Sequence, residues 1–207
     1  MNYESLRTNE FNQWLIIHLR YLLGLAFIPS GLIKLVGERF TLIPVENPIG
    51  FFFEGLFQSG FYYNFIGLIQ VIAGFLLMSQ RLATLGALIY SCLIVNIWMI
   101  TVSLSFKGTW VITSLMLLAT AILLIWDIQK FKFLFSYNSK LDYKVFPDPT
   151  PYWQILGVIY FTLLTSLWLL ARNGTLAVII SVIIILLFIC SNIYAYIKYK
   201  KKSAKKI

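Results

Sequence analysis

Residues 82–104 read LATLGALIYSCLIVNIWMITVSL, a run without a single Lys, Arg, Asp or Glu. As an α-helix rising about 1.5 Å per residue it is long enough to cross a hydrocarbon core of about 30 Å. Five other stretches have the same character: 14–36, 62–79, 109–127, 152–171 and 174–197. The expected fold is therefore all-α, a polytopic helical membrane protein with six spans. Composition agrees, because 59% of the 207 residues are hydrophobic and only 12% are charged, against about 25% charged in soluble domains. So few polar side chains cannot cover a soluble surface.

The net charge of +9 belongs to topology rather than to nucleic acid, since the basic residues sit at span ends and in the tail. Arg7, Arg20, Arg81, Lys130, Lys132, Lys140, Lys144 and the six tail lysines fall on one side of the six spans. Lys34, Arg39, Lys107 and Arg172 fall on the other. The positive-inside bias then places both termini in the cytoplasm, as an even number of spans requires. The first span lacks a basic leader and an A-x-A site, so it is expected to stay attached. The tail YIKYKKKSAKKI reads as a topology anchor that also attracts anionic lipid head groups.

Three parts are expected. Residues 1–129 form a four-helix bundle with an interfacial segment at 37–61. Residues 130–151 form a cytoplasmic loop closed by Pro147, Pro149 and Pro151, which break any helix. Residues 152–207 form a hairpin turning at Arg172-Asn173-Gly174, followed by the polybasic tail. The segment 37–61, GERFTLIPVENPIGFFFEGLFQSGF, is too polar to span. From Pro48 it suits a short helix with Glu54 and Gln58 at i, i+4. That helix either lies in the interface with Glu54 in water or folds back as a lid with Glu54 turned to the bundle.

In the first span Arg20, Gly24, Phe27, Gly31, Lys34 and Glu38 recur at three- and four-residue spacing, so they share one stripe. The glycines permit close helix approach, and the flanking charges then face protein. Lys34 either pairs with Glu38 or joins a site. Gln70 lies near the centre of the second span and Asn96 in the outer half of the third. Both serve either as interhelical hydrogen-bond glue or as site residues, because polar groups at membrane depth are costly without partners. The functional reading is one polar pocket opening away from the cytoplasm, lined by Lys34, Glu54, Gln70 and Asn96.

No catalytic set is evident. His18 is the only histidine, which excludes a bis-histidine haem and a histidine-rich metal site. Cys92 and Cys190 lie singly inside spans and read as small packing residues. No cofactor motif and no metal site is visible.

The segments RYLLGLAFIPSGLIK (20–34), GLIQVIAGFLL (67–77) and RLATLGAL (81–88), followed by Asn96, resemble the DoxX-like family of integral membrane proteins over residues 14–129. The signature positions carried over are Arg20, Gly31, Lys34, Gln70, Gly74, Arg81 and Asn96. The resemblance implies a four-helix bundle of the bacterial cytoplasmic membrane, related to small membrane subunits of redox complexes such as thiosulfate:quinone oxidoreductase. The hairpin after residue 150 is a departure from it. Three functions follow as expectations. One is a membrane subunit or scaffold with a protein partner in a redox complex. The second is a quinone-binding component in which Lys34, Gln70 and Asn96 hold the quinone and Glu54 handles protons. The third is a small transporter or lipid-binding protein with Lys34 as counter-charge.

Overall fold

The structure of the chain, a computed structural model, describes residues 3–135, 150–170 and 174–204, and every regular element among them is an α-helix. In chain order these are α1 (Tyr3–Thr8), α2 (Glu10–Leu35), α3 (Pro48–Gln58), α4 (Phe61–Met78), α5 (Ala83–Ser103), α6 (Thr109–Trp126), α7 (Ile128–Phe135), α8 (Pro151–Leu170) and α9 (Gly174–Ala204). Six of them, α2, α4, α5, α6, α8 and α9, are long and apolar enough to cross a membrane. The chain is an all-helical, multi-pass membrane protein.

Local chemistry sets the helix starts. The Asn9 side chain accepts from the Phe11 and Asn12 amides at the head of α2. Asn47 accepts from the Ile49 amide at the head of α3, with Pro48 following it, where a missing N–H costs nothing. The same rule corrects the expectation for Pro151. It opens α8 rather than breaking a helix. Residues 128–135 are helical, which corrects the start of the loop expected from residue 130. Its remainder, with Pro147 and Pro149, lies outside the described residues, as do Arg172 and Asn173 of the expected turn.

The N-terminal unit covers Met1–Phe161. Within it α2 packs on α4, α4 on α5, α5 on α6, and α6 back on α2, closing a ring of four helices. The α2–α4 contact is the closest because glycines face each other. A Cβ at Gly31 would lie 2.8 Å from the Gly67 carbonyl oxygen, and one at Gly67 would lie 2.6 Å from that of Gly31. Gly24 and Gly74 repeat the arrangement two turns away, at 3.0 and 3.3 Å. Lipid tails are as apolar as Leu, so close van der Waals packing has to hold these helices together. The centre is filled by Leu23, Phe27, Ala73, Leu77, Ala87, Tyr90, Ile94 and Leu123, with the Phe27 and Tyr90 rings stacked at 3.7 Å.

Two further pieces complete this unit. The first half of α8 lies against α2 and α4: the Tyr21 hydroxyl donates to the Trp153 carbonyl, and Phe75 meets Phe161 edge-on at 4.9 Å. Helix α3 caps one end of the bundle, with Phe53 against Phe40 and Phe106, and Phe57 against Tyr63. Neither placement open from sequence is met in full: α3 packs on the bundle end, but Glu54 pairs with Arg39 instead of turning to the bundle. The C-terminal unit, Thr162–Ile207, holds the end of α8 and all of α9. Val178, Ile185, Leu186 and Ile193 of α9 are exposed, which suits a helix whose solvent is hydrocarbon.

Candidate functional site

Polar side chains gather at the two ends of the N-terminal bundle, and the ends are built differently. At one end the centre is Asp127, which follows directly on α6 and is 2% exposed. Its Oδ2 accepts from Thr84 Oγ1 at 2.8 Å and from Arg20 Nη2 at 3.1 Å. Its Oδ1 lies 3.5 Å from Arg7 Nη1 and 3.8 Å from Lys130 Nζ. Arg20 also donates to Gln80 Oε1, and Gln80 donates in turn to the Ile17 carbonyl. Gln80 holds a left-handed backbone, φ 61°, in the α4–α5 turn. That conformation is costly for a residue with a Cβ, and its two side-chain bonds help retain it. Tyr3 and Arg7 both donate to the Trp126 carbonyl at the end of α6, where helix carbonyls lack internal partners and cations are favoured. One carboxylate thus joins α1, α2, α5, α6 and α7.

At the other end stands Lys34, fourteen residues or about 21 Å further along α2. It is 5% exposed. Its ammonium donates to the Ser30 carbonyl at 2.9 Å and to Ser30 Oγ at 2.8 Å, and it sits 4.2 Å from the centroid of the Phe40 ring. The Phe40 ring rests on Phe53 of α3.

Of the pocket expected from sequence, Lys34 and Gln70 flank one helix contact. A Cβ at Gly67 would meet Lys34 Cβ at 2.8 Å, and one at Gly31 would meet Gln70 Cβ at 3.0 Å. Asn96 does not join them. It is exposed on α5 and donates to the Cys92 carbonyl of its own helix, which satisfies an amide without an interhelical partner. Glu54 does not turn into the bundle as a free acid. Arg39 makes two hydrogen bonds to it, at 2.9 and 3.1 Å, and Gln58 donates a third at 2.7 Å. The Arg39 contact, with Gln58 beside it, holds the Glu54 carboxyl down at about 2. Lys34 bonds Ser30 and not Glu38, which is exposed.

The signature positions divide similarly. Arg20 is in the Asp127 cluster, Gly31 and Gly74 form the α2–α4 contact, and Arg81 is exposed in the α4–α5 turn. His18 bonds the Trp14 carbonyl and packs on the Trp14 ring. Cys92 and Cys190 are exposed rather than packed inside. Gln70 Oε1 and the Tyr90 hydroxyl are buried without a hydrogen-bond partner among the described residues. Among the described residues no three His, Cys, Asp or Glu side chains gather as a metal site would need.

Sequence reasoning did not single out Asp127. One signal was available: it is among only eight acidic residues and abuts a span on the basic side of the chain. Comparison with protein-family models, with curated proteins and with solved structures finds no match to this chain.

Proposed function

We propose that the chain is an integral membrane subunit or scaffold of the DoxX-like kind, seated in a bacterial cytoplasmic membrane beside a partner protein of a redox complex. The supporting observation is the Asp127 cluster. Charges at membrane depth are expensive and usually mark function, yet here Asp127 binds Arg7, Arg20, Lys130 and Thr84 of the same chain. Such bonds fix helices in place, as a scaffold requires. With the basic side facing the cytoplasm, that cluster lies at the cytoplasmic end and Lys34 at the opposite one.

A quinone site is the weaker reading. It asks Asn96 to donate to the ligand, but that amide is bonded to Cys92. It also asks Glu54 to carry protons, and a carboxyl held at about 2 by Arg39 has no proton to give near neutral pH.

The test is gentle purification from native membranes, followed by mass spectrometry of what accompanies the chain. A partner protein in fixed ratio is expected, and its chemistry would name the reaction. Purified single chain that turned over a reduced substrate with a quinone acceptor would overturn the proposal.

A further inference from the structure

Asn96 is an exposed amide at membrane depth. It stands on α5 seven residues before Ser103, roughly 10 Å inside that end of the helix. Its neighbours on the exposed face are Leu88, Cys92, Val95 and Met99. The other amides of the four-helix ring are placed differently. Gln70 is buried, and Asn12, Gln13 and Asn64 stand within about a turn of a helix start. The bond from Asn96 to the Cys92 carbonyl, at 2.7 Å, makes the exposure tolerable but uses only part of the group. A carboxamide carries two N–H donors and an oxygen with two lone pairs. Cys92 takes one N–H, and among the described residues the second N–H and Oδ1 have no partner. Hydrocarbon offers no water to supply the missing bonds.

The groups left over say what fits. A donor and an acceptor side by side make the amide complementary to itself, so two of them can exchange one bond in each direction. Copies of the chain in one bilayer share orientation and depth. A twofold axis along the membrane normal therefore sets Asn96 opposite the Asn96 of a second copy. A lipid tail has no amide to offer, and a protein of another sequence would have to present one at that same depth. The exchange leaves the bond to Cys92 intact, because it uses the other N–H. Cys92, one turn away on the same face, is a small residue, and small residues let helices in membranes approach closely.

We propose that the exposed face of α5 is a self-association surface, on which two copies of the chain pair through reciprocal Asn96 hydrogen bonds. Cys92 of each copy then lies beside the axis. The inference goes beyond the scaffold reading and does not rest on it, because the chain is its own partner here.

The experiment uses the full chain in liposomes, with Cys190→Ala leaving Cys92 as the only cysteine. Oxidation with copper phenanthroline is expected to join Cys92 of two copies. A chain whose one cysteine is Leu25→Cys, at an exposed position of α2 across the ring, should give little covalent dimer. Association without a cross-link is read by energy transfer between donor- and acceptor-labelled copies as lipid dilutes them. Two interhelical bonds predict that Asn96→Leu weakens the dimer by roughly tenfold, whereas Asn96→Gln keeps the amide and with it the dimer. Asn96 is exposed, so neither change empties a packed site. Equal association of wild type and Asn96→Leu would overturn the pairing, and so would equal cross-linking through Leu25→Cys. If Cys92 in native membranes is joined instead to a different protein, the assignment to a second copy is wrong.

Discussion

Replacing Asp127 with alanine should destabilise the fold more than any other single change at that end of the bundle. The carboxylate is 2% exposed and is shared by Arg20 at 3.1 Å, Arg7 at 3.5 Å and Lys130 at 3.8 Å, with Thr84 donating at 2.8 Å. Alanine leaves two well-buried guanidinium groups without this counter-charge. Breaking a buried pair in this way costs about 3–5 kcal/mol. Asparagine keeps the volume and an oxygen for Thr84 while cancelling the charge, so it should cost less, about 2 kcal/mol. Arg20→Met is gentler than the alanine change as well, because the carboxylate keeps Arg7, Lys130 and Thr84. Lys130→Met should be mildest: its side chain is 33% exposed, and solvent-screened pairs are worth about 1 kcal/mol or less.

The expected order is therefore Asp127→Ala, then Arg20→Met, then Lys130→Met. Purified protein in a mild detergent, unfolded by titration with sodium dodecyl sulfate and followed by circular dichroism, reads it directly. A cost for Asp127→Ala of about 1 kcal/mol or less would refute the reasoning, because solvent-exposed pairs fall in that range. So would equal costs for Asp127→Ala and Lys130→Met, which would mean that the three cations do not depend on one carboxylate.

Three other outcomes are expected. Gly67→Ala should destabilise by about 1–3 kcal/mol in the same titration, since its Cβ would lie 2.5 Å from the Leu35 amide nitrogen and neither backbone can yield without separating α2 from α4. Tyr90→Phe should raise stability by about 1 kcal/mol, because it removes a buried hydroxyl without a partner; a loss of that size would show that the hydroxyl is satisfied in the membrane. The Glu54 carboxyl, lowered from 4.5 to about 2, contributes stability that is complete above its unfolded value and is lost as pH falls from about 4.5 towards 2. Isotope-edited infrared spectroscopy of labelled glutamate should show that group ionised throughout the range above 4.5, and an Arg39→Ala variant should restore ordinary titration.

The spans were legible because hydrocarbon imposes one demand along the whole chain, and a run such as 82–104 can meet it only as a helix. The α2–α4 contact was legible for a related reason: Gly24, Gly31, Gly67 and Gly74 recur where bulk would prevent approach. The helix at Pro48 was visible through that proline and the Glu54–Gln58 spacing, and the structure joins those two side chains at 2.7 Å. What failed was rotation and long-range pairing. Asn96 lies at a depth that sequence gives, but on a face that only packing decides, and its bond to Cys92 makes an exposed amide tolerable. Glu54 was weighed between water and bundle without Arg39, fifteen residues earlier. Asp127 meets partners at positions 7, 20, 84 and 130, a set that no local spacing reveals.

The two ends of the bundle show how differently a membrane protein can treat a buried charge. Arg20 and Lys34 lie on one stripe of α2 at 4% and 5% exposure, so burial alone does not distinguish them. Arg20 faces a carboxylate that arrives from the end of α6, and the energy of that pair is set within the chain. Lys34 faces a hydroxyl, a carbonyl and an aromatic ring, all neutral, at an end capped by Phe-rich α3. Had Lys34 served only to snorkel, its ammonium would reach the surface, as such side chains do; instead it turns back to Ser30, beneath Phe40. Its charge is met by the two Ser30 oxygens and the face of the Phe40 ring, where that of Arg20 is met by a carboxylate.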